Sequence, residues 1–259
     1  MTDFDPRHRE LGSLRDAGRH AEALALLQHL FDEVEDGIVP ARSGLFIPML
    51  EWRFLGEVHA PAQAALREQR DRQVARLLAG DQYVGAGVQA PESLWHVGRF
   101  SLIVDMNAIL GDPGATRDLF LQLDAAQPAL ARRYAWQALP DIVAAGDFAL
   151  AERYRKNPLE LLNQVNAAAR RYPLFPQERQ APRLAAELSN LTRDVGIGIA
   201  VLRGTGREQE ADSLRTALLA GLESGELRAL AQRELEEQGT IQGEIARHRM
   251  AQEGHDLPD

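Results

Sequence analysis

A glycine flanked by two apolar-periodic stretches, with a small residue five positions later and a bulky one eight later, recurs four times in this chain. The instances are Gly18/Ala23/Leu26, Gly111/Thr116/Leu119, Gly146/Ala151/Tyr154 and Gly206/Ala211/Leu214. Such a pattern predicts a helix, a tight turn and a second helix folded back on the first, because glycine enters the left-handed backbone of a turn without a Cβ penalty. A recurring helical hairpin builds a scaffold that binds something more readily than a pocket that performs chemistry.

The stretches around these glycines carry helical spacing. Leu11 and Leu14 lead into Gly18, after which Ala23, Leu26, Leu27, Leu30 and Phe31 recur at three- and four-residue steps. Further helices are expected over 48–58, with Met49, Trp52, Leu55 and Phe54 inward, and over 61–78. Another is introduced by Pro91, Glu92 and Ser93 and runs to Gly111, and more follow over 130–145, 148–155, 159–171, 184–202, 208–222 and 226–250. Segment 37–44, with Gly37, Pro40 and Gly44, and segment 172–182, with three prolines, read as connections. No stretch alternates with the period of two of an exposed sheet. The fold class expected is all-α, an irregular stack of antiparallel helical hairpins, either degenerate solenoid or bundle. The expected organisation is an N-terminal hairpin (1–36), a central array (45–172) and a C-terminal sub-bundle (183–252), forming one continuous unit.

On these residues the chain resembles tetratricopeptide-like helical-hairpin repeats, which pack small residues where two helices approach and often close each unit with proline. Gly111, Thr116, Phe120 and Pro128 form the best instance, and Gly146 follows Gly111 by 35 residues, near the roughly 34-residue period of that family. The other intervals between the glycines are 93 and 60 residues, and Arg155 and Arg215 stand where Leu27 and Phe120 stand in the first two hairpins. The resemblance implies stacked helix pairs and a protein partner.

Composition narrows the classes. The chain has no cysteine, which removes disulfides, thiolate metal sites and cysteine nucleophiles. Its formal charge of −9 is concentrated at the ends: residues 1–40 contribute −5 and 205–259 contribute −6, leaving +2 between them. Acidic ends argue against nucleic acid, whose phosphates need clustered Lys and Arg, and suit a basic partner through long-range attraction. No apolar run approaches the ~18 residues of a membrane span, and the acidic opening Met1-Thr2-Asp3 lacks the pattern of an export signal. The expected setting is cytoplasmic, with no membrane and no nucleic acid.

Chemistry-bearing constellations are sparse. The seven histidines include no pair at i, i+4 spacing, the arrangement that sets two imidazoles over one metal. Glu92/His96 and Glu244/His248 do have that spacing, as a carboxylate–imidazole couple or as exposed helix-face pairs. Gly85-Ala86-Gly87-Val88-Gln89-Ala90 matches a dinucleotide fingerprint in letters only, because no strand precedes it and Pro91 follows. No cofactor or metal is expected. The candidate partner-binding residues are the acidic run Asp32, Glu33, Glu35 and Asp36, together with Trp95 and Tyr134. Trp52, Trp95 and Trp136 are expected mainly as core residues, and one exposed beside Tyr83 or Tyr134 would become an interface anchor.

The function expected is therefore a non-catalytic protein-binding scaffold, most specifically an immunity protein that neutralises a cognate bacterial toxin. A cytoplasmic adaptor or chaperone is the alternative within that class. An enzyme with a site assembled across helices, around Glu92 and His96 or the Asp32–Asp36 run, is the alternative outside it.

Overall fold

Helix ends set this architecture, and they follow from the residues at them. The computed structural model describes residues 5–85, 97–177 and 180–253. Helix α1 (Pro6–Asp16) begins with Pro6 in its first turn, and the Asp5 carboxylate accepts the Arg7 N–H at 2.9 Å. Gly18 then takes φ +72°; its N–H bonds to the Arg15 carbonyl and the Arg19 N–H to that of Leu14, both at 2.9 Å. This paired closure satisfies carbonyls that would otherwise end the helix unbonded, and α2 (His20–Glu35) follows at once.

The same closure recurs at Gly111, Gly146 and Gly206, at φ +65°, +77° and +76°. Each time the next residue's N–H reaches back five positions, from Asp112 to Asn107, Asp147 to Ile142 and Arg207 to Leu202. The small residues five positions on, Ala23, Thr116, Ala151 and Ala211, are all fully buried. The bulky position eight on is less uniform: Leu119 is buried, whereas Leu26, Tyr154 and Leu214 are half-buried. The fold is all-α, an irregular stack of antiparallel helical hairpins.

The chain forms two compact units, the first ending at Asp141 and the second beginning at Ile142. In the first unit, α3 (Ala41–Gly44), α4 (Phe46–Val58) and α5 (Ala60–Leu78) follow α2. A two-residue antiparallel ladder of β1 (Tyr83–Val84) with β2 (Val97–Gly98) leads into α6 (Arg99–Leu110), α7 (Pro113–Ala126) and α8 (Pro128–Ala144), the last crossing the boundary. Its core gathers Leu11, Leu27, Phe31, Trp52, Leu66 and Met106. Phe31 meets Trp52 edge-on at 5.4 Å, and the Trp52 indole N–H donates to the Ala62 carbonyl at 3.2 Å.

The second unit contains α9 (Phe148–Tyr154), α10 (Leu162–Ala169), α11 (Arg183–Gly204), α12 (Glu208–Gly221), α13 (Gly225–Glu236) and α14 (Thr240–Glu253). The 22-residue α11 is its axis, burying Leu188, Leu191 and Val195 among Leu218, Leu230 and Ile241. Gly198 and Gly204, which interrupt the apolar pattern of α11, admit neighbours. A Cβ on Gly198 would stand 3.0 Å from Leu214, and one on Gly204 would overlap the Phe148 ring.

Several sequence expectations are corrected here. The helix expected over 159–171 spans only Leu162–Ala169, because Asn157 accepts the Leu159 N–H at 3.1 Å and holds a turn first. The single helix expected over 226–250 is two, broken at Gly239 (φ +93°), where the Glu234 carboxylate accepts the N–H groups of Gly239 at 3.0 Å and Ile241 at 2.7 Å. The connection 37–44 includes the short α3. Trp136, expected in the core, is 53% exposed, since it lies roughly 200° around α8 from the buried Tyr134. Among the described residues, no helix is long and apolar enough to cross a membrane.

Candidate functional site

Helix α4 is apolar around most of its circumference, and the core uses only one side of it. Leu45, Pro48, Trp52 and Leu55 are buried. Phe46, Leu50, Phe54 and Val58, spaced every four residues, face outward at 68%, 36%, 40% and 61% exposure. Phe54, expected inward, belongs to this outer stripe, with the Arg15 guanidinium 5.0 Å from its ring centroid. A continuous apolar strip of this kind marks an interaction surface more often than singly scattered apolar residues do. The other large exposed apolar residues lie on different elements.

Two open grooves flank the stripe. One, of about 410 Å³, is lined by Arg15, Asp16, His20, Phe54 and Val58. The other, of about 430 Å³, runs between α4 and α6. Leu45, Phe46, Met49 and Leu50 form its α4 side, and Leu102 and Ile109 lie on α6. Arg53 on α4 and Asp105 on α6 are its charged walls, with Arg42 beyond the start of α4. Asp105 is exposed, and partial desolvation by its neighbours raises its pKa above the ordinary aspartate value. Neither Arg53 nor Asp105 has an ion-pair partner among the described residues.

Among the described residues, the sequence-predicted ones do not come together in one place. Asp32 and Asp36 are exposed at the end of α2. Glu33 turns back to Arg7 at 2.7 Å, and that hydrogen bond holds its carboxyl below the ordinary glutamate value. Glu35 pairs inside the fold with Arg76 and, at 3.3 Å, with Arg99. Tyr134 is a correction as a partner-facing residue: it is only 5% exposed and stacks on Phe100 at 4.6 Å with rings 7° from parallel. Burial raises its phenol pKa, and its hydroxyl has no hydrogen-bond partner among the described residues. Trp95, Glu92, His96 and part of the Gly85–Ala90 match lie outside the described residues. In the Glu244/His248 couple, Glu244 pairs with Arg233 and Arg247, both at 3.1 Å, while His248 lies against Phe175 and Gln252.

Sequence reasoning missed a fully buried arginine. Arg99, the first residue of α6, has no exposed side-chain surface. Its guanidinium donates to the carbonyls of Asp81 at 2.9 Å and Tyr83 at 2.7 Å, to the Asp81 carboxylate at 2.9 Å, to Glu35 at 3.3 Å and to Gln73. Burial pushes the Asp81 carboxyl up; the hydrogen bond from Arg76 and the charge of Arg99 outweigh it, so its pKa is lowered. The cluster ties α2, α5 and the β1 approach to the start of α6, one wall of the groove. No residue spacing announces it, because its members are distant in sequence.

A second polar chain runs beneath α7. Arg70 donates to the Asn107 side-chain carbonyl oxygen at 2.6 Å, and the Asn107 amide donates to Thr116 at 3.0 Å. Both networks fix helices and leave no group placed as a nucleophile or general base with an oriented partner. The arrangement suits docking through the α4 face. Comparison with protein-family models, curated proteins and solved structures finds no match to this chain.

Proposed function

We propose that this chain is a non-catalytic, protein-binding helical scaffold that docks its partner on the outer face of α4. The observation that carries this reading is the stripe of Phe46, Leu50, Phe54 and Val58, left in solvent beside two grooves. Leaving two phenylalanines and two aliphatic side chains partly exposed along one helix forgoes roughly a third to two thirds of the about 1.5–3 kcal/mol that full burial of each would contribute, a loss that a partner would recover. The exposed Asp32 and Asp36 and the acidic chain ends support a partner with basic character. An immunity protein against a bacterial toxin is the most specific form of this proposal, and a cytoplasmic adaptor or chaperone is its other form.

Co-purification from the native cell, comparing the wild-type chain with Phe46→Asp/Phe54→Asp, tests the reading. A protein recovered in stoichiometric amount by the wild type and lost with the double variant is expected. Recovery of no protein, or of the same protein equally by both, would sink it. If the recovered protein is a toxin whose activity the wild type suppresses and the double variant does not, the immunity form holds.

A further inference from the structure

The α4–α6 groove has opposite charge on its two walls. Arg53 on α4 and Asp105 on α6 both line it, with apolar side chains between them, and neither has a partner among the described residues. They are also not within ion-pairing distance of each other. Asp105 is exposed on the α6 wall beside apolar side chains, open to a cation from an incoming partner. Whatever occupies the groove gains most by bringing a cation to the α6 wall and an anion to the α4 wall.

The shape of the groove restricts the occupant further. Its long walls are the helices α4 and α6, and Val97 of the two-residue β2 also lines it; the apolar helical walls match the mode in which an amphipathic helix lies in an apolar groove. Along α4 the groove runs from Phe46 to Arg53, about 11 Å at 1.5 Å per residue, room for two turns of a bound helix with apolar anchors at i, i+3 or i+4 and i+7. A second copy of a chain carrying −9 would meet long-range repulsion.

We infer that this groove seats one amphipathic helix of a protein partner, with a Lys or Arg of that helix against Asp105 and an acidic residue on its other flank against Arg53. The inference rests on the protein-binding reading and adds the partner's chemistry and orientation to it.

The test is selection of a phage-displayed library of 18-residue helical peptides on the full chain. Selection is repeated on Asp105→Asn and on Phe46→Asp/Phe54→Asp, with circular dichroism melts confirming that both variants fold. The expected result is enrichment of amphipathic sequences with a basic residue at one fixed flank of the apolar stripe. Their synthetic peptides should bind Asp105→Asn at least about tenfold more weakly in fluorescence anisotropy, about 1.4 kcal/mol. Asp105→Lys should recover affinity for the peptide whose basic residue is replaced by Glu.

If the enriched peptides lose binding to the α4 double variant but bind Asp105→Asn equally, the inference fails and the docking reading stands. If no enriched peptide depends on Phe46 and Phe54, both fail. A concentration-dependent dimer in sedimentation analysis that Asp105→Asn abolishes would assign the groove to a second copy and overturn the inference.

Discussion

A guanidinium with no exposed surface is tolerated at Arg99 because acceptors meet its donors: two carbonyls, two carboxylates and an amide oxygen. Removing one side of such a buried arrangement costs far more than the arrangement contributes net, because the remaining polar groups lose their partner without regaining water. Arg99→Met is expected to lower the stability of the first unit by about 3–5 kcal/mol in urea denaturation. Arg99→Lys should lose most of the same amount, since one ammonium cannot span the Asp81 and Tyr83 carbonyls together.

Two aspartates give pH effects of opposite sign. Hydrogen bonds and charge from Arg7 lower the Asp5 pKa from 3.8 to about 2. Its stabilisation is therefore fully present above pH 4 and lost as pH falls towards 2. Asp5→Ala should cost about 1 kcal/mol at pH 7 as a lost helix cap, and that difference should shrink to nothing in melts at the acid end of this window. Asp141 is the reverse: burial raises its pKa above 3.8, the nearby Thr116 hydroxyl offsets this in part, and one carboxylate oxygen has no partner among the described residues. Its ionisation opposes folding as pH rises past 3.8, so Asp141→Asn should raise the melting temperature at pH 7 and leave it unchanged near pH 3. A lower melting temperature at pH 7 would contradict that account.

At the scale of elements, two kinds of glycine are separable. Around Gly146, φ +77°, a Cβ would meet nothing within 4 Å. Gly146→Val should therefore cost about 1–2 kcal/mol through backbone conformation alone, with no neighbouring substitution able to rescue it. Gly204 has no such φ, but a Cβ there would overlap the Phe148 ring. Gly204→Ala should cost about 1–3 kcal/mol through overpacking, and Phe148→Leu should return part of that loss in a double-mutant cycle. The hairpin turns were legible in sequence because their signal spans only a few residues: a glycine, a small residue at a fixed offset and apolar stripes around them. The break at Gly239 was not, since it rests on the Glu234 carboxylate reaching forward to two N–H groups within a polar stretch. The β1–β2 ladder is likewise two residues long on each strand, too short for any periodicity to register.

For the whole molecule, the outer face of α4 carries the functional consequence. Phe46→Asp/Phe54→Asp places charge where solvent already reaches, at 68% and 40% exposure, so thermal stability should change by less than about 0.5 kcal/mol while partner binding is lost. A large fall in melting temperature would show instead that these rings serve the fold. The sequence showed that 48–58 is an apolar helix but not which side of it faces out, because Phe46, Leu50 and Phe54 are as hydrophobic as Trp52 and Leu55. By itself the sequence determined the all-α class, the four glycine hairpins and the acidic ends, all written in backbone preference, short-range spacing and charge. Only the tertiary structure decided that Tyr134 is buried, that Trp136 is exposed, that Glu35 faces Arg99 from 64 residues away, and that Arg53 and Asp105 line one groove. Burial and charge pairing depend on which distant helices meet, and no local window of the chain contains that information.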